Sequence, residues 1–133
     1  MYRYRMTSGL SRHVVERFNK HRAKLGNILR VEARRFLSWR GKGESAFFTD
    51  HEVIMVIGET GTARFSGCCW GYGGEGPRAV CALLKACGLS DVWAEHHAFD
   101  VPRSCDPCNV TVTNEELAKL PNKTTVDWAI DLN

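Results

Sequence analysis

The chain has 133 residues, of which 44% are hydrophobic and 25% are charged, and its formal net charge at pH 7 is +3. This length is sufficient for one domain with a buried core, and the composition excludes a disordered or fibrous chain. Because no apolar run approaches the length of a membrane span and the first residues lack the apolar core of a secretory signal, we expect a cytoplasmic protein with reduced thiols.

The positive charge is concentrated in the N-terminal third of the chain. Residues 1–46 hold 12 Lys and Arg against 3 Asp and Glu, whereas the remaining residues hold 6 against 12. Apolar residues recur at helical spacing in Ser11–Leu25 and again in Ile28–Trp39, which predicts a basic helical segment over residues 8–39. Such a segment is either a solvated face over an apolar stripe or a surface for an acidic partner.

Strand signals dominate the first part of the remaining chain. The runs Phe47–Phe48, Val53–Ile57 and Thr62–Phe65 predict extended segments, with Val53–Ile57 as a central strand and a hairpin turn at Gly58–Gly61. The run Val92–Val101 is ambiguous between extended and helical structure.

The last strand is predicted from alternation over Thr124–Leu132, with inward positions at Val126, Trp128, Ile130 and Leu132. We therefore expect one α+β domain over residues 1–133. Its basic helical segment packs with a small, mainly antiparallel sheet in residues 46–133, and one central helix lies on that sheet.

The most informative stretch is a run of glycines between a predicted strand and a predicted helix. Four glycines fall within six residues from Gly71 to Gly76, and Pro77 and Arg78 then open an amphipathic run that ends at Gly88. Proline suits a first helical position and glycine suits the residue after a helix. A glycine turn at a helix N-terminus concentrates unpaired N–H groups, which is a common way to bind phosphate.

The same run carries a resemblance to known proteins. Trp70-Gly-Tyr-Gly-Gly-Glu-Gly-Pro-Arg-Ala79, with Leu83 and Leu84 behind it, resembles a Trp-Gly-Tyr-Gly-Gly-x-Gly-Pro signature of small phage and bacterial proteins of unassigned function. More loosely, it is similar to the glycine-rich turn of phage anti-defence proteins that sequester cyclic nucleotide signals, such as the Thoeris anti-defence sponges. The resemblance covers about 20 of the 133 residues, and the run lacks the spacing of Rossmann and P-loop fingerprints.

This resemblance implies binding and sequestration of a small phosphorylated nucleotide by a non-enzymatic homo-oligomer without a cofactor. The glycines would offer main-chain donors, the arginine would pair with phosphate, and Trp70 or Tyr72 would stack on a base. The ligand-binding residues predicted in this way are Trp70, Tyr72, Gly73, Gly74, Gly76 and Arg78.

Two other interpretations remain open. The glycines could form a structural turn packed under Trp70 and Tyr72, with no ligand. Alternatively, the chain is a small basic interaction protein that binds nucleic acid, or a nucleic-acid-processing enzyme, through residues 8–39.

No metal or catalytic site is expected. Cys105 and Cys108 form a single C-x-x-C pair, with His96 and His97 upstream, but a fourth zinc ligand is not evident in the sequence. No recognised motif places a nucleophile beside a base, and Ser66 does not lie in a G-x-S-x-G turn.

Overall fold

The computed structural model describes residues 1–6, 11–40, 47–66, 68–101 and 124–132. Helices and strands both contribute, which confirms the predicted α+β class. In chain order the elements are β1 (Tyr2–Met6), a 3-10 turn (Ser11–His13), α1 (Val14–Leu25), β2 (Ile28–Arg40), β3 (Phe47–Gly58), β4 (Gly61–Ser66), α2 (Glu75–Ala86), α3 (Asp91–Glu95), a π-helical turn (His96–Asp100) and β5 (Thr124–Asp131). In this part of the chain, no helix is both long and apolar enough to cross a membrane.

The five strands form one sheet in the order β1-β4-β3-β2-β5. β3 lies at the centre, as predicted, and pairs antiparallel with β2 and β4. β5 is antiparallel to β2, whereas the edge strand β1 is parallel to β4. The sheet is therefore mixed but mainly antiparallel.

The core lies between one face of the sheet and the helices α1 and α2, which contact each other. Ala63 and Phe65 of β4 are fully buried and lie opposite Val56 and Ile54 of β3. The helices contribute a stripe at helical spacing because only one side of each faces the sheet. The buried helical residues are Val14, Phe18 and Leu25 of α1 and Pro77, Ala79, Val80, Cys81, Leu83 and Leu84 of α2.

Among the side chains that the structure describes, the opposite face of the sheet carries five arginines, and we call it the arginine face: Arg3, Arg5, Arg30, Arg34 and Arg64. They alternate along β1, β2 and β4 with the residues that point into the core. Arg3 and Arg5 are exposed, and Arg30, Arg34 and Arg64 are half-buried.

The helix predicted for Ile28–Trp39 is wrong, because these residues belong to β2. The alternation Arg-Val-Glu-Ala-Arg has period two: Val31 and Ala33 are buried in the core, and the residues between them lie on the arginine face. Helical spacing fitted this run because it is rich in apolar residues on both sides of its charged centre. Of the predicted basic helical segment, Val14–Leu25 is helical.

Other predictions hold with shifted boundaries. α2 begins at Glu75, so Pro77 occupies the third helical position rather than the first, and Gly88 has a positive φ of 101° as a residue after a helix. The ambiguous run after it is helical. β5 is confirmed, but Val126 is 48% exposed instead of buried, because an irregularity in the pairing with β2 at Ala33 and Arg34 changes its register.

Candidate ligand site at the glycine-rich loop

Trp70 anchors the glycine-rich loop to the body of the protein. The ring is fully buried, and its Nε1 donates a hydrogen bond of 3.1 Å to Oδ2 of Asp127. It also packs edge-on against Trp128, with 6.2 Å between the ring centroids. A ring enclosed in this way presents no free face to a base, so the predicted stacking of Trp70 on a base does not fit this structure.

Tyr72 lies on the surface of the loop, with 44% of its area exposed. Its hydroxyl and the thiol of Cys69 share a hydrogen bond, and this bond, together with partial burial, raises the pKa of Tyr72. The ring edge lies close to the main chain of Gly74, since a Cβ added at Gly74 would come within 3.0 Å of Cε2 of Tyr72. The phenol ring is thus held across the loop and partly open to solvent.

Two of the four glycines have a clear structural role. Gly71 has a positive φ of 87°, and its N–H donates to the carbonyl oxygen of Ala98 at 2.8 Å. Gly76 packs against Cys69 so closely that an added Cβ would lie 2.3 Å from the Sγ atom. At these two positions the tight turn itself explains the glycine, as the interpretation of a structural turn without a ligand predicts.

Gly73 differs from these two glycines. Its φ lies outside the left-handed region, an added Cβ would meet no atom within 4 Å, and the residue is exposed. The described fold therefore does not require a glycine at this position. What a glycine does provide here is open access to the main chain.

The main chain at the start of α2 has free hydrogen-bond donors. Among the described residues, the N–H groups of Gly73, Gly74, Glu75 and Gly76 donate to no main-chain carbonyl, and no side chain caps the helix at Gly74. Helix N-termini of this kind attract anions through these donors and the helix dipole.

Arg78 lies one turn into α2 and is exposed. Because helical side chains tilt towards the N-terminus, its guanidinium can extend back towards the loop. Glu75 is exposed in the first turn and opposes this charge. An anion bound here would have to displace or reorient that carboxylate.

A separate cluster of histidine and tryptophan rings lies at and after α3. Nδ1 of His97 bonds to the carbonyl oxygen of Trp93 at 2.8 Å, and the His97 ring lies 5.4 Å from that of Trp128, centroid to centroid. An open cavity of about 450 Å³ lies beside this cluster, lined by Val92, Trp93, Glu95, His96 and Asp100. Within the residues described, no group of three or more His, Cys, Asp and Glu could hold a metal ion.

The cysteines near the loop are free thiols. Burial is the main cause that raises the pKa of Cys68 and of Cys87 to about 12, so both remain protonated at neutral pH and behave as small apolar side chains. The predicted pair Cys105 and Cys108 lies outside the described residues.

The basic residues of the segment 8–39 do not form one surface. Arg17, Lys20 and Lys24 are exposed on α1, on the helical side of the sheet, whereas Arg30 and Arg34 lie on the arginine face. Sequence reasoning missed the residues that complete that face, Arg3, Arg5 and Arg64. The alternation Tyr-Arg-Tyr-Arg at residues 2–5 was the available signal.

Comparisons of this chain with protein-family models, with curated proteins and with solved structures find no match.

Proposed function

We propose that the chain binds and sequesters a small phosphorylated nucleotide at the glycine-rich loop. The observation that carries the proposal is Gly73, a glycine that the fold does not require, next to four main-chain N–H groups without main-chain partners in the described structure. A residue without Cβ at this point lets phosphate oxygens approach those donors.

Three kinds of group contribute to binding the nucleotide. The N–H groups of Gly73, Gly74 and Gly76 donate to phosphate oxygens, and Arg78 adds a fork of charged donors. The exposed face of Tyr72 stacks on the base, a contact worth about 1–3 kcal/mol in single-strand binders. Trp70 contributes by holding the loop in place, through its bond to Asp127.

The proposed ligand is a cyclic nucleotide signal, and the proposed biological role is phage anti-defence. Both come from the resemblance of Trp70–Ala79 to phage sponge proteins. On this proposal the protein lowers the free concentration of the signal without converting it, and it assembles as a homo-oligomer.

The test is calorimetric titration with a panel of cyclic mono- and dinucleotides. Mass spectrometry of small molecules released by heating the protein, purified from signal-producing cells, identifies the natural ligand. Gly73→Ala is the decisive variant: its melting temperature should stay at the wild-type value, while its affinity falls by about tenfold or more, or ~1.4 kcal/mol. Wild-type affinity in Gly73→Ala would reject the main-chain donors as the binding group.

Arg78→Ala and Lys85→Ala form a matched pair on the same helix. Both remove one exposed positive charge, but only Arg78 lies near the loop, whereas Lys85 lies in the last turn beside Asp91 and Glu95. We expect Arg78→Ala to abolish nucleotide binding at nearly unchanged melting temperature and Lys85→Ala to bind like the wild type. Equal affinities of the two variants would contradict the phosphate contact.

A further inference from the structure

The helical run after α2 turns its largest apolar side chains to solvent. α3 and the π-helical turn that continues it bury Ala94 and Ala98, which lie four positions apart on one side of the run. Val92 and Trp93, by contrast, are 74% and 58% exposed. A surface helix ordinarily buries its large apolar residues and exposes its polar ones. An outer side that carries an adjacent Val and Trp is therefore suited to contact with another molecule.

An open cavity of about 450 Å³ lies beside Trp93 on this outer side. Its wall combines two apolar side chains, two carboxylates and an imidazole: Val92, Trp93, Glu95, His96 and Asp100. An indole attracts cations through the face of its ring, and a carboxylate attracts them through its charge. The cavity therefore suits the side chain of Lys or Arg, whose aliphatic stem packs on apolar atoms while its charged head meets a carboxylate. We call these five residues, together with Asp91, the α3 surface.

The α3 surface is acidic even when the ion pairs within the chain are counted. Nζ of Lys85 lies 3.8 Å from a carboxylate oxygen of Asp91 and 3.9 Å from one of Glu95. The carboxylate of Asp100 lies 4.0 Å from Nδ1 of His96. One lysine thus faces three exposed carboxylates. Two α3 surfaces placed against each other would bring like charges together, so the complementary surface has to be basic.

A basic surface of this kind lies on α1 of the same chain. Arg17, Lys20 and Lys24 recur at spacings of three and four along α1, so they share one side of the helix, and all three are exposed. We call these three residues the basic stripe. Among the described residues, neither Arg17 nor Lys20 forms an ion pair with a carboxylate, and Nζ of Lys24 lies 5.1 Å from the ring centroid of Tyr2. Glu16 is the acidic residue of α1, so an excess of positive charge remains.

We propose that the α3 surface of one copy of this chain docks on the basic stripe of a second copy, with a basic side chain in the cavity beside Trp93. Both surfaces are exposed within one chain, so they do not cover one another, and a second copy brings the matching surface with it. The exposed indole supplies an anchor of the kind that dominates interface energies, and the charges select the orientation.

This contact is head-to-tail, because it joins two different surfaces. Repeated from copy to copy, it closes into a ring or continues as an open chain. The inference rests on the homo-oligomer of the proposed function and names the surfaces that form it. It does not depend on nucleotide binding at the glycine-rich loop.

The experiment is sedimentation velocity of the full chain at concentrations up to about 100 μM. The wild-type protein should sediment with a mass above the 15.0 kDa of one chain. Trp93→Ala removes the anchor, and Arg17→Glu/Lys20→Glu/Lys24→Glu reverses the basic stripe, so each variant should be a monomer. A wild-type protein that stays monomeric overturns the proposal, and so does an assembly that either variant leaves intact.

An equal mixture of the two variants tests the orientation of the contact. The Trp93→Ala chain keeps its basic stripe and the reversed chain keeps its α3 surface, so one contact can form between them and the assembly stops there. The mixture should give a dimer of about 30 kDa, twice the mass of one chain. A mixture that remains monomeric would reject the head-to-tail contact.

The controls separate folding, other basic surfaces and nucleotide binding from the docking contact. A melting curve shows whether each variant is folded, and Val92→Arg, which puts a positive charge into the cavity at an exposed position, replaces Trp93→Ala if that chain is not. Arg3→Gln/Arg5→Gln should assemble like the wild type, and its dissociation would move the contact to the arginine face.

Nucleotide titration of the same proteins keeps the two proposals apart. The reversed chain should bind nucleotide within a few-fold of wild type although it is a monomer. A monomeric wild-type protein that binds nucleotide rejects the docking contact alone. An oligomer that dissociates as described but binds no nucleotide of the panel supports the docking contact and rejects the loop site alone.

Discussion

Trp70 and Asp127 join the glycine-rich loop to the edge strand β5 across 57 positions of sequence, by a hydrogen bond of 3.1 Å from the indole Nε1 to a carboxylate oxygen. The indole is fully buried and packs on Trp128, the neighbour of Asp127. The loop that holds the candidate ligand site is therefore fixed from inside the protein. Its exposed residues can serve a ligand without also maintaining the fold.

The first prediction concerns this bond. Trp70→Phe keeps an aromatic ring in the core but removes the N–H donor, and we expect a loss of about 1–3 kcal/mol in the free energy of unfolding. Urea denaturation monitored by circular dichroism measures this loss. Trp93→Phe is the control, because Trp93 is 58% exposed and its replacement should change stability little. Equal stability of the two variants would show that the bond to Asp127 contributes nothing.

The second prediction separates the glycines of the loop. Gly76→Ala places a Cβ 2.3 Å from the sulfur of Cys69, so the thiol and the bonded Tyr72 have to shift, at a cost of about 1–3 kcal/mol. Gly73→Ala meets no atom within 4 Å and should be neutral for stability. Thermal melting of the two variants compares them directly.

The same contact offers a rescue experiment. Cys69→Ala removes the sulfur, so the atoms of residue 69 nearest the new methyl group at position 76 are the main-chain nitrogen at 3.3 Å and the Cβ at 3.7 Å, instead of the sulfur at 2.3 Å. We therefore expect Cys69→Ala/Gly76→Ala to melt at a higher temperature than Gly76→Ala alone. A double variant that is less stable than Gly76→Ala would locate the conflict elsewhere in the loop.

The third prediction distinguishes scaffold from surface in α1. Phe18 is fully buried, with the guanidinium of Arg22 5.1 Å above its ring, so Phe18→Ala should cost ~3–5 kcal/mol of unfolding free energy. Reversing Arg17, Lys20 and Lys24 to Glu should leave nucleotide binding within a few-fold of wild type, because exposed charges are individually worth little. A mild Phe18→Ala variant together with complete loss of binding in the reversal would make α1 the functional surface.

The fourth prediction concerns the protonation of His21. Its ring stacks on Tyr4 at 3.8 Å between centroids and accepts or donates a hydrogen bond with the hydroxyl of Tyr2. Burial is the largest cause that lowers the pKa of His21 from 6.5, and Lys20, Lys24 and Arg17 lower it further. A lowered histidine pKa means that the unfolded chain binds the proton more readily than the folded protein.

Stability should therefore fall as the pH drops below 6.5 and on through the lowered pKa of His21. Proton NMR titration of the His21 ring measures that pKa, and Lys20→Gln/Lys24→Gln should raise it relative to wild type. A His21 pKa at or above 6.5 in the wild-type protein would contradict the electrostatic account.

The strands that could be predicted from sequence are those with a signal in their own residues. β3 is a continuous apolar run with a glycine turn after it, and β5 alternates, so both were found. β2 was mistaken for a helix, because its period-two pattern is confined to the charged centre of the strand. No strand is predicted over β1, although its alternation of Tyr with Arg has the period of a strand; its place at the edge beside β4 follows from topology and has no local signal.

The candidate site likewise contains features that a local sequence pattern predicts and features that depend on distant residues. Tyr72, Gly73, Gly74, Gly76 and Arg78 fall together in one loop and the first turn of α2, as the motif predicted. The burial of Trp70 depends on Asp127 and Trp128, which are more than fifty positions away, and no local pattern reveals it. The alternation at residues 2–5 places Arg3 and Arg5 on one side of a strand, but the arginine face as a whole exists only once β1, β2 and β4 share a sheet.

The order of strands also determines how the chain can reach this structure. β2, β3 and β4 follow one another along the chain and pair as neighbours, whereas Arg30 meets Asp131 and Tyr2 meets Gly61 only after long stretches of chain have been closed. Closing such loops costs conformational entropy before the stabilising contacts have formed, and this slows folding. We expect the central three strands to form first and both edges to dock late, so amide hydrogens of β1 and β5 should exchange with solvent well before those of β3.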